Sequence, residues 1–215
     1  TYVTTRLADQ LGLRNLWIKD ESRNPTGSFK DRASAIVVAR ARQIAAEVIV
    51  AASTGNAGAA LAGMAAAVGH KAVIFAPKTA PPAKVAQLLV YGSKVVLVDG
   101  NYDSAFDLSI LASKEFGWYC RNTGYNPFTV EGKKTAAFEI WETIVLSLRK
   151  IYGKLAIFVS VGDGNIITGL HKGFKDLQAL GWLDEMPRIF GIQSEKSAAV
   201  ANAFFKGSEE IIPVR

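Results

Sequence analysis

Three strand-to-helix junctions in the 215-residue sequence carry residue types suited to chemistry. In the first, NPTGSFKDR at 24–32, Lys30 stands just past a turn and at the start of a strongly helical run. The positive end of a helix dipole disfavours a nearby exposed ammonium by about 0.3–1 kcal/mol. Partial burial acts in the same direction, and a neutral amine in such a place can attack a carbonyl to form an imine. The plainer alternative is a surface lysine beside Asp31, the fate of most lysines. Ser28 and Asp31, three residues apart, resemble a capping box with Asp in place of Glu.

The second junction is STGNAG at 53–58, which follows EVIVAAS and opens an Ala-rich run. Two hydroxyls, two glycines and an Asn at a helix start present side-chain and backbone donors to an anion. An ordinary N-cap by Ser53 or Thr54 would need only part of that set. The third is VGDGNIITG at 161–169. Gly162 and Gly164 allow the backbone to approach a ligand closely, and Asn165 tolerates unusual dihedrals, so this stretch is a candidate phosphate cup.

Other chemistries lack support. The third junction is not a dinucleotide fingerprint, because Ile167 stands where glycine or alanine is needed. EGKKT at 131–135 is not a Walker loop, because Pro127 takes the place of the first glycine. His70, His171 and Cys120 lie too far apart in sequence for metal-ligand spacing, and no serine sits in a nucleophile elbow. Both histidines are expected to be structural, His70 at a helix end and His171 on a helix face. Cys120, within WYCRN, is expected to be a buried thiol; as a lone cysteine it leaves no internal disulfide and fits a reducing compartment.

The elements that must position these junctions follow from hydrophobic periodicity. Strands are expected at NLWIKD (15–20), EVIVAAS (47–53), KAVIFAP (71–77), KVVLVDG (94–100), WYCRN (118–122), LAIFVSV (155–161) and RIFGIQS (188–194). Helices are expected at 31–46, 55–69, 81–92, 101–117, 131–150, 167–181 and 194–207. This alternation predicts an α/β fold with parallel twisted sheet flanked by helices, in two lobes, with ligands at the carboxyl ends of strands. The Gly/Asn/Pro cluster RNTGYNPF (121–128) is the candidate boundary, and a second sheet is expected to begin near LAIFVSV.

Composition narrows the partners. Hydrophobic residues make up 49% of the chain, enough for a sizeable core. The net charge of +6 is spread over single or paired cations, which argues against nucleic acid and for small anionic ligands. With no membrane-length apolar run and no signal peptide, the expectation is a cytoplasmic protein. The chain begins without Met and stops at EEIIPVR, so it is expected to be part of a longer protein.

In this order, KDESRNPTGSFKDR, ASTGNAG and NPFTVEGKKT resemble the fold-type-II pyridoxal-phosphate (PLP) enzymes of the tryptophan synthase beta-like superfamily. The similarity runs along nearly the whole chain and is greatest to the threonine synthases. It implies that Lys30 binds PLP through a Schiff base and that Asn56 hydrogen-bonds the cofactor's ring hydroxyl. Gly162, Asp163, Gly164, Asn165 and Thr168 would hold the cofactor phosphate, and Ser53, Thr54, Gly55 and Ala57 the carboxylate of a small anionic amino-acid substrate.

By the same resemblance, residues 1–31 and 136–215 would form a larger, discontinuous domain whose C-terminal part is missing. Residues 32–135 would form a smaller domain that closes on substrate, and the assembly would be a homodimer. The implied reaction is conversion of O-phosphohomoserine and water to threonine and phosphate, by γ-elimination and β-addition of water. Two departures from the family pattern are present. Thr129 stands where several relatives carry a phosphate-binding Arg, making Arg121, Lys133 or Lys134 candidate substitutes, and Asn165 stands where a glycine is often found. Competing readings are a serine/threonine dehydratase, favoured by Thr129 but opposed by FKDR and EGKKT, and a non-catalytic anion-binding homologue.

Overall fold

The computed structural model describes residues 1–146 and 155–212. It divides into two compact units, Thr1–Gly132 and Lys133–Arg215. The first unit opens with β1 (Tyr2–Val3), α1 (Thr5–Gln10) and β2 (Trp17–Ile18), followed by a 3-10 turn at Glu21–Arg23. Four β-α repeats come next. They are α2 (Lys30–Gln43), β3 (Val48–Ala52), α3 (Asn56–Ala67), β4 (Lys71–Pro77), α4 (Pro82–Val90), β5 (Lys94–Val98), α5 (Tyr102–Phe116) and β6 (Tyr119–Cys120).

These strands form a wholly parallel sheet in the order β5-β4-β3-β6. Every residue of β3 is buried, as expected of a central parallel strand covered on both faces. The period of two sends alternate side chains to opposite sides. Ile49, Ala51, Ala72 and Ile74 join Val37, Val38, Leu61 and Leu88 in one core. Val48, Val50, Ala52, Val73 and Phe75 pack with Ala105 and Ala112 of α5 in the other. Cys120 belongs to that second core and is buried, and its desolvation pushes the thiol's pKa up.

The second unit contains most of the remaining elements. After α6 (Phe128–Lys133), which reaches the boundary, come α7 (Thr135–Ile140) and a π-helical stretch, Trp141–Leu146. Then follow β7 (Ala156–Ser160), α8 (Asn165–Ala179), β8 (Arg188–Ile192), a 3-10 turn at Glu195–Ser197 and α9 (Ala199–Lys206). The strands β7 and β8 pair in parallel as a separate two-stranded sheet.

The α/β architecture with parallel sheets is thus as expected, including a second sheet at LAIFVSV. Several local expectations differ: WYCRN keeps only Tyr119–Cys120 as strand, and the helix expected at 167–181 begins at Asn165. NLWIKD forms only a short strand, Trp17–Ile18, which pairs antiparallel with the unforeseen β1. The helix expected at 131–150 starts earlier, because Asn126 Oδ1 accepts the Phe128 N–H at 2.9 Å and Thr129 Oγ1 donates to the Asn126 carbonyl at 2.8 Å. It is then divided at Lys134 and widened into π geometry from Trp141; its continuation over 147–150 lies outside the described residues. The helix expected at 194–207 begins as a 3-10 turn and becomes α-helical only at Ala199. Among the described residues, no helix is long and apolar enough to cross a membrane.

Candidate active site

Lys30 is the first residue of α2 and is half-buried. The turn before it is held from both sides. Asn24 Nδ2 donates to the Ser28 carbonyl at 3.1 Å and to Glu21 Oε2 at 2.7 Å. Arg32 grips the same carboxylate with two bonds, Nε to Oε2 at 2.7 Å and Nη2 to Oε1 at 2.9 Å, a two-point geometry that fixes orientation as well as distance. Burial pushes the Glu21 carboxyl up, but hydrogen bonds from Arg32 and Asn24 and the charges of Arg32 and Lys19 outweigh it. The net effect holds Glu21 below the usual carboxylate range.

The capping box expected of Ser28 and Asp31 is not formed: Phe29 is the N-cap, and the Asp31 N–H donates to the Ser28 carbonyl, not to its hydroxyl. Ser28 Oγ accepts from the Lys30 N–H at 3.3 Å. Asp31, buried, reaches instead to Thr26, accepting its N–H at 2.7 Å and its hydroxyl. The Asp therefore braces the turn that presents the lysine, a longer reach than the box allows.

In STGNAG, Gly55 caps α3, Asn56 is its first residue and is exposed, and Ser53, Thr54 and Ala57 are half-buried. First-turn amides of a helix have no intrahelical acceptor, so Asn56 and Ala57 offer donors at this end. The Gly55 N–H is already taken by Ser53 Oγ at 3.2 Å. Gly58 is needed for packing, since a Cβ there would lie 2.3 Å from the Ser53 carbonyl oxygen.

Two more glycines join this unit's motifs. A Cβ on Gly63 of α3 would meet Thr26 Cγ2 at 2.5 Å, so the lysine turn lies against α3. A Cβ on Gly132 would meet the Arg32 carbonyl oxygen at 2.2 Å, so the NPxxxEG segment rests on the first turn of the lysine helix. The sequence carried a signal for both contacts, a glycine inside each helix, but not the partner.

The candidate phosphate loop lies in the second unit. Gly162 and Asp163 are exposed, and Gly164 takes the left-handed conformation at φ 78° as the cap of α8. Asn165 is the first helical residue, so the unusual dihedral belongs to Gly164 and Asn165 needs none. The Asn165 N–H donates to Asp163 Oδ1 at 3.0 Å, and Thr168 Oγ1 donates to the Gly164 carbonyl at 2.9 Å. Thr168 must release that carbonyl before it can donate to a phosphate oxygen.

Of the three cations considered as substitutes for Arg at position 129, Arg121 and Lys134 are engaged by neighbouring side chains. Arg121, 1% exposed, donates to Ser34 Oγ at 3.2 Å and Thr123 Oγ1 at 2.8 Å. Lys133 is fully buried, and Lys134 pairs with Asp176. The hydrogen bond from Lys134 is the main reason the Asp176 carboxyl is held below its usual range. Thr129 is itself fully buried.

The sequence profile of the family described as pyridoxal-phosphate dependent enzyme matches residues 3–215. The chain belongs to that family. Among curated relatives, threonine synthase of Methanocaldococcus jannaschii is 38% identical over 215 residues, covering 100% of this chain and 52% of the relative. Threonine synthase of Methanosarcina acetivorans is 36% identical over 213 residues, 99% of this chain and 51% of the relative. The chain thus spans about half the length of the curated relatives it matches. Among solved structures, the processed form of threonine deaminase isoform 2 from Solanum lycopersicum superposes with a TM-score of 0.81 at 23% identity. That superposition covers 98% of this chain and 56% of the other, and it shows a shared fold.

As a pyridoxal-phosphate dependent family member, the chain can be tested for fit to that cofactor. Lys30 offers an amine at a braced helix start, and Asn56 an exposed carboxamide at another. At Gly162 and Gly164 an added Cβ would meet nothing within 4 Å, which leaves open space against the backbone for a phosphate. The donor types present fit the group.

Proposed function

We propose that the chain works within a PLP-dependent threonine synthase that converts O-phosphohomoserine and water into threonine and phosphate. The observation that carries this reading is the match along 99–100% of the chain, at 36–38% identity, to curated threonine synthases. The geometry supports it locally. The NPxxxEG segment, one of the features that separates threonine synthases from dehydratases in sequence, is built onto the lysine helix through Gly132 and Arg32.

Lys30 would hold the cofactor through its Nζ, and the same amine would carry protons at the substrate's α and β carbons. Bound pyridoxal phosphate supplies an electron sink for the charge that develops at those carbons. Asn56 would orient the cofactor by a hydrogen bond to its ring hydroxyl. Gly162, Asp163, Gly164, Asn165 and Thr168 receive its phosphate at the start of α8, where the helix dipole favours an anion. Ser53, Thr54, Gly55 and Ala57 receive the substrate carboxylate with hydroxyl and amide donors. Ser53 has to turn its oxygen from the Gly55 N–H if that amide is to join them.

The reading extends to the whole protein: a cytoplasmic homodimer in which residues 1–31 and 136–215 contribute to a larger domain and 32–135 form the smaller one. Thr129 favours a second reading, a serine/threonine dehydratase, because no arginine stands at that position for a leaving phosphate. Full-length protein given O-phosphohomoserine is expected to release phosphate and threonine in equal amounts. Keto acid and ammonia from serine or threonine, with no phosphate released from O-phosphohomoserine, would favour the dehydratase. Borohydride reduction followed by peptide mapping should place a pyridoxyl group on Lys30, and its absence would remove both enzyme readings.

A further inference from the structure

Where β6 leaves the central sheet, a side chain takes over its ladder. The last backbone bond between the two strands is the Arg121 N–H to the Val50 carbonyl at 2.8 Å. The next amide along β3, that of Ala52, is met by Asn122 Oδ1 at 2.8 Å. Asn122 is 3% exposed, and its Nδ2 donates to Ser109 Oγ at 2.8 Å. Ser109, fully buried on α5, donates in turn to the Phe106 carbonyl at 2.6 Å. Ala52 is therefore tied through Asn122 to α5, which lies on one face of the sheet. Its carbonyl faces the Tyr102 hydroxyl at 3.4 Å, and the next amide, Ser53 N–H, bonds to the Phe75 carbonyl at 3.2 Å.

We propose that Asn122 is a positioning residue for the carboxylate-binding loop Ser53–Ala57. It fixes the last residue before that loop, so its carboxamide sets where the loop's hydroxyls and amides point. The proposal rests on the reading of Ser53, Thr54, Gly55 and Ala57 as substrate-carboxylate donors. A buried amide left without its acceptor is unfavourable, and the backbone relieves this by shifting toward water or another acceptor. Residue 52 has little room to shift without moving 53, so the disturbance passes into the loop.

The test uses full-length holoenzyme with Asn122→Ala, and Ser113→Ala as the comparison variant. Ser113 Oγ donates to the Trp118 carbonyl at 2.7 Å, at the opposite end of β6, so its loss removes a similar bond away from the loop. In Asn122→Ala the KM for the amino-acid substrate should rise about tenfold while kcat changes less, the size expected from one buried hydrogen bond withdrawn from loop geometry. Hydrogen exchange in the absence of substrate should quicken at Ala52 and across residues 53–57 in this variant and not in Ser113→Ala.

If KM and exchange in Asn122→Ala match those of Ser113→Ala, the proposal is overturned. Should Asn122→Ala fail to fold, Ser109→Ala replaces it. That variant removes only the group that orients Asn122, and it should raise KM by about threefold and quicken exchange at Ala52, as expected for a neutral hydrogen bond. Unchanged values there overturn the proposal. Pyridoxyl labelling of Lys30 in the unsubstituted protein separates the two failures: without label the functional reading falls, and with label and unmoved exchange only the role of Asn122 does.

Discussion

The two strand-to-helix loops that offer donors to anions stand on strands of very different burial. STGNAG follows a strand buried along its whole length, and its root is tied by Asn122, seventy positions away in sequence. GDGNIIT follows β7, in which Ala156, Phe158 and Ser160 are exposed. Its root, Val161, is tied to the end of β8, its N–H donating to the Ile192 carbonyl at 2.8 Å and its carbonyl accepting from Gln193 Nε2 at 3.2 Å. Within the loop Asp163 bonds Asn165 and Thr168 bonds Gly164. Phe158 and Phe190 stack on each other at 4.9 Å, with 68% and 42% of their surfaces in solvent. The first loop therefore inherits its shape from a packed core and resists local change. The second is anchored at Val161 but stands on an exposed strand, and its turn bonds are local, so substitutions within it should act on ligand binding more than on folding.

The largest effect tests the amine on which both loops depend in the proposed function. Lys30→Ala in the full-length enzyme should lower turnover by at least about 10³-fold, near the upper part of what a proton-transferring group contributes, and should abolish pyridoxyl labelling. Next, alanine at Gly58 should destabilise the fold by about 1–3 kcal/mol, as overpacking does, whereas alanine at Gly162 should change it by less than about 0.5 kcal/mol. Urea unfolding of the two variants measures the contrast directly. Equal losses would mean that the loops are braced alike.

A smaller effect concerns the turn that carries the lysine. Glu21 is held below its ordinary pKa by Arg32 and Asn24, so the carboxylate contributes stability above the unfolded-state value, about 4.3, and that stability is lost as pH falls through the folded value. Glu21→Gln should be less stable than the unsubstituted protein at pH 7, and the two should converge as pH falls below about 4. Smallest of all, Thr168→Ala should leave unfolding within about 0.5 kcal/mol, since its hydroxyl is exposed, yet weaken cofactor retention during dialysis.

Much of the fold was legible because its signals are local. KAVIFAP forms β4 at Lys71–Pro77, the same seven residues, since a β-branched and aromatic run between Gly69-His70 and Lys78 has few other ways to bury itself. Lys30 at the start of α2 and Asn56 at the start of α3 were likewise readable from turn and capping residues, whereas α8 begins at Asn165, two residues before the expected Ile167, behind a left-handed Gly164. What could not be read depends on partners distant in sequence. The attachment of Asn122 to Ala52, the seat of Gly132 on Arg32 and the contact of Gly63 with Thr26 leave no periodic trace. Asp31 misled for a related reason, because its spacing from Ser28 suited one acceptor role while the folded turn offered it Thr26. The π-helical widening after Ile140 also has no compositional mark, since WETIVL suits an ordinary helix as well.

Cys120 has a practical consequence. It is the single thiol of the sequence, sits in the core beside the Asn122 bracket, and its deprotonation is disfavoured by burial. Alkylating reagents attack the thiolate, so the intact sheet shields this atom both sterically and chemically. The rate at which a small alkylating reagent modifies Cys120 is therefore a built-in clock for the opening of the central sheet, one that can be run without adding a probe.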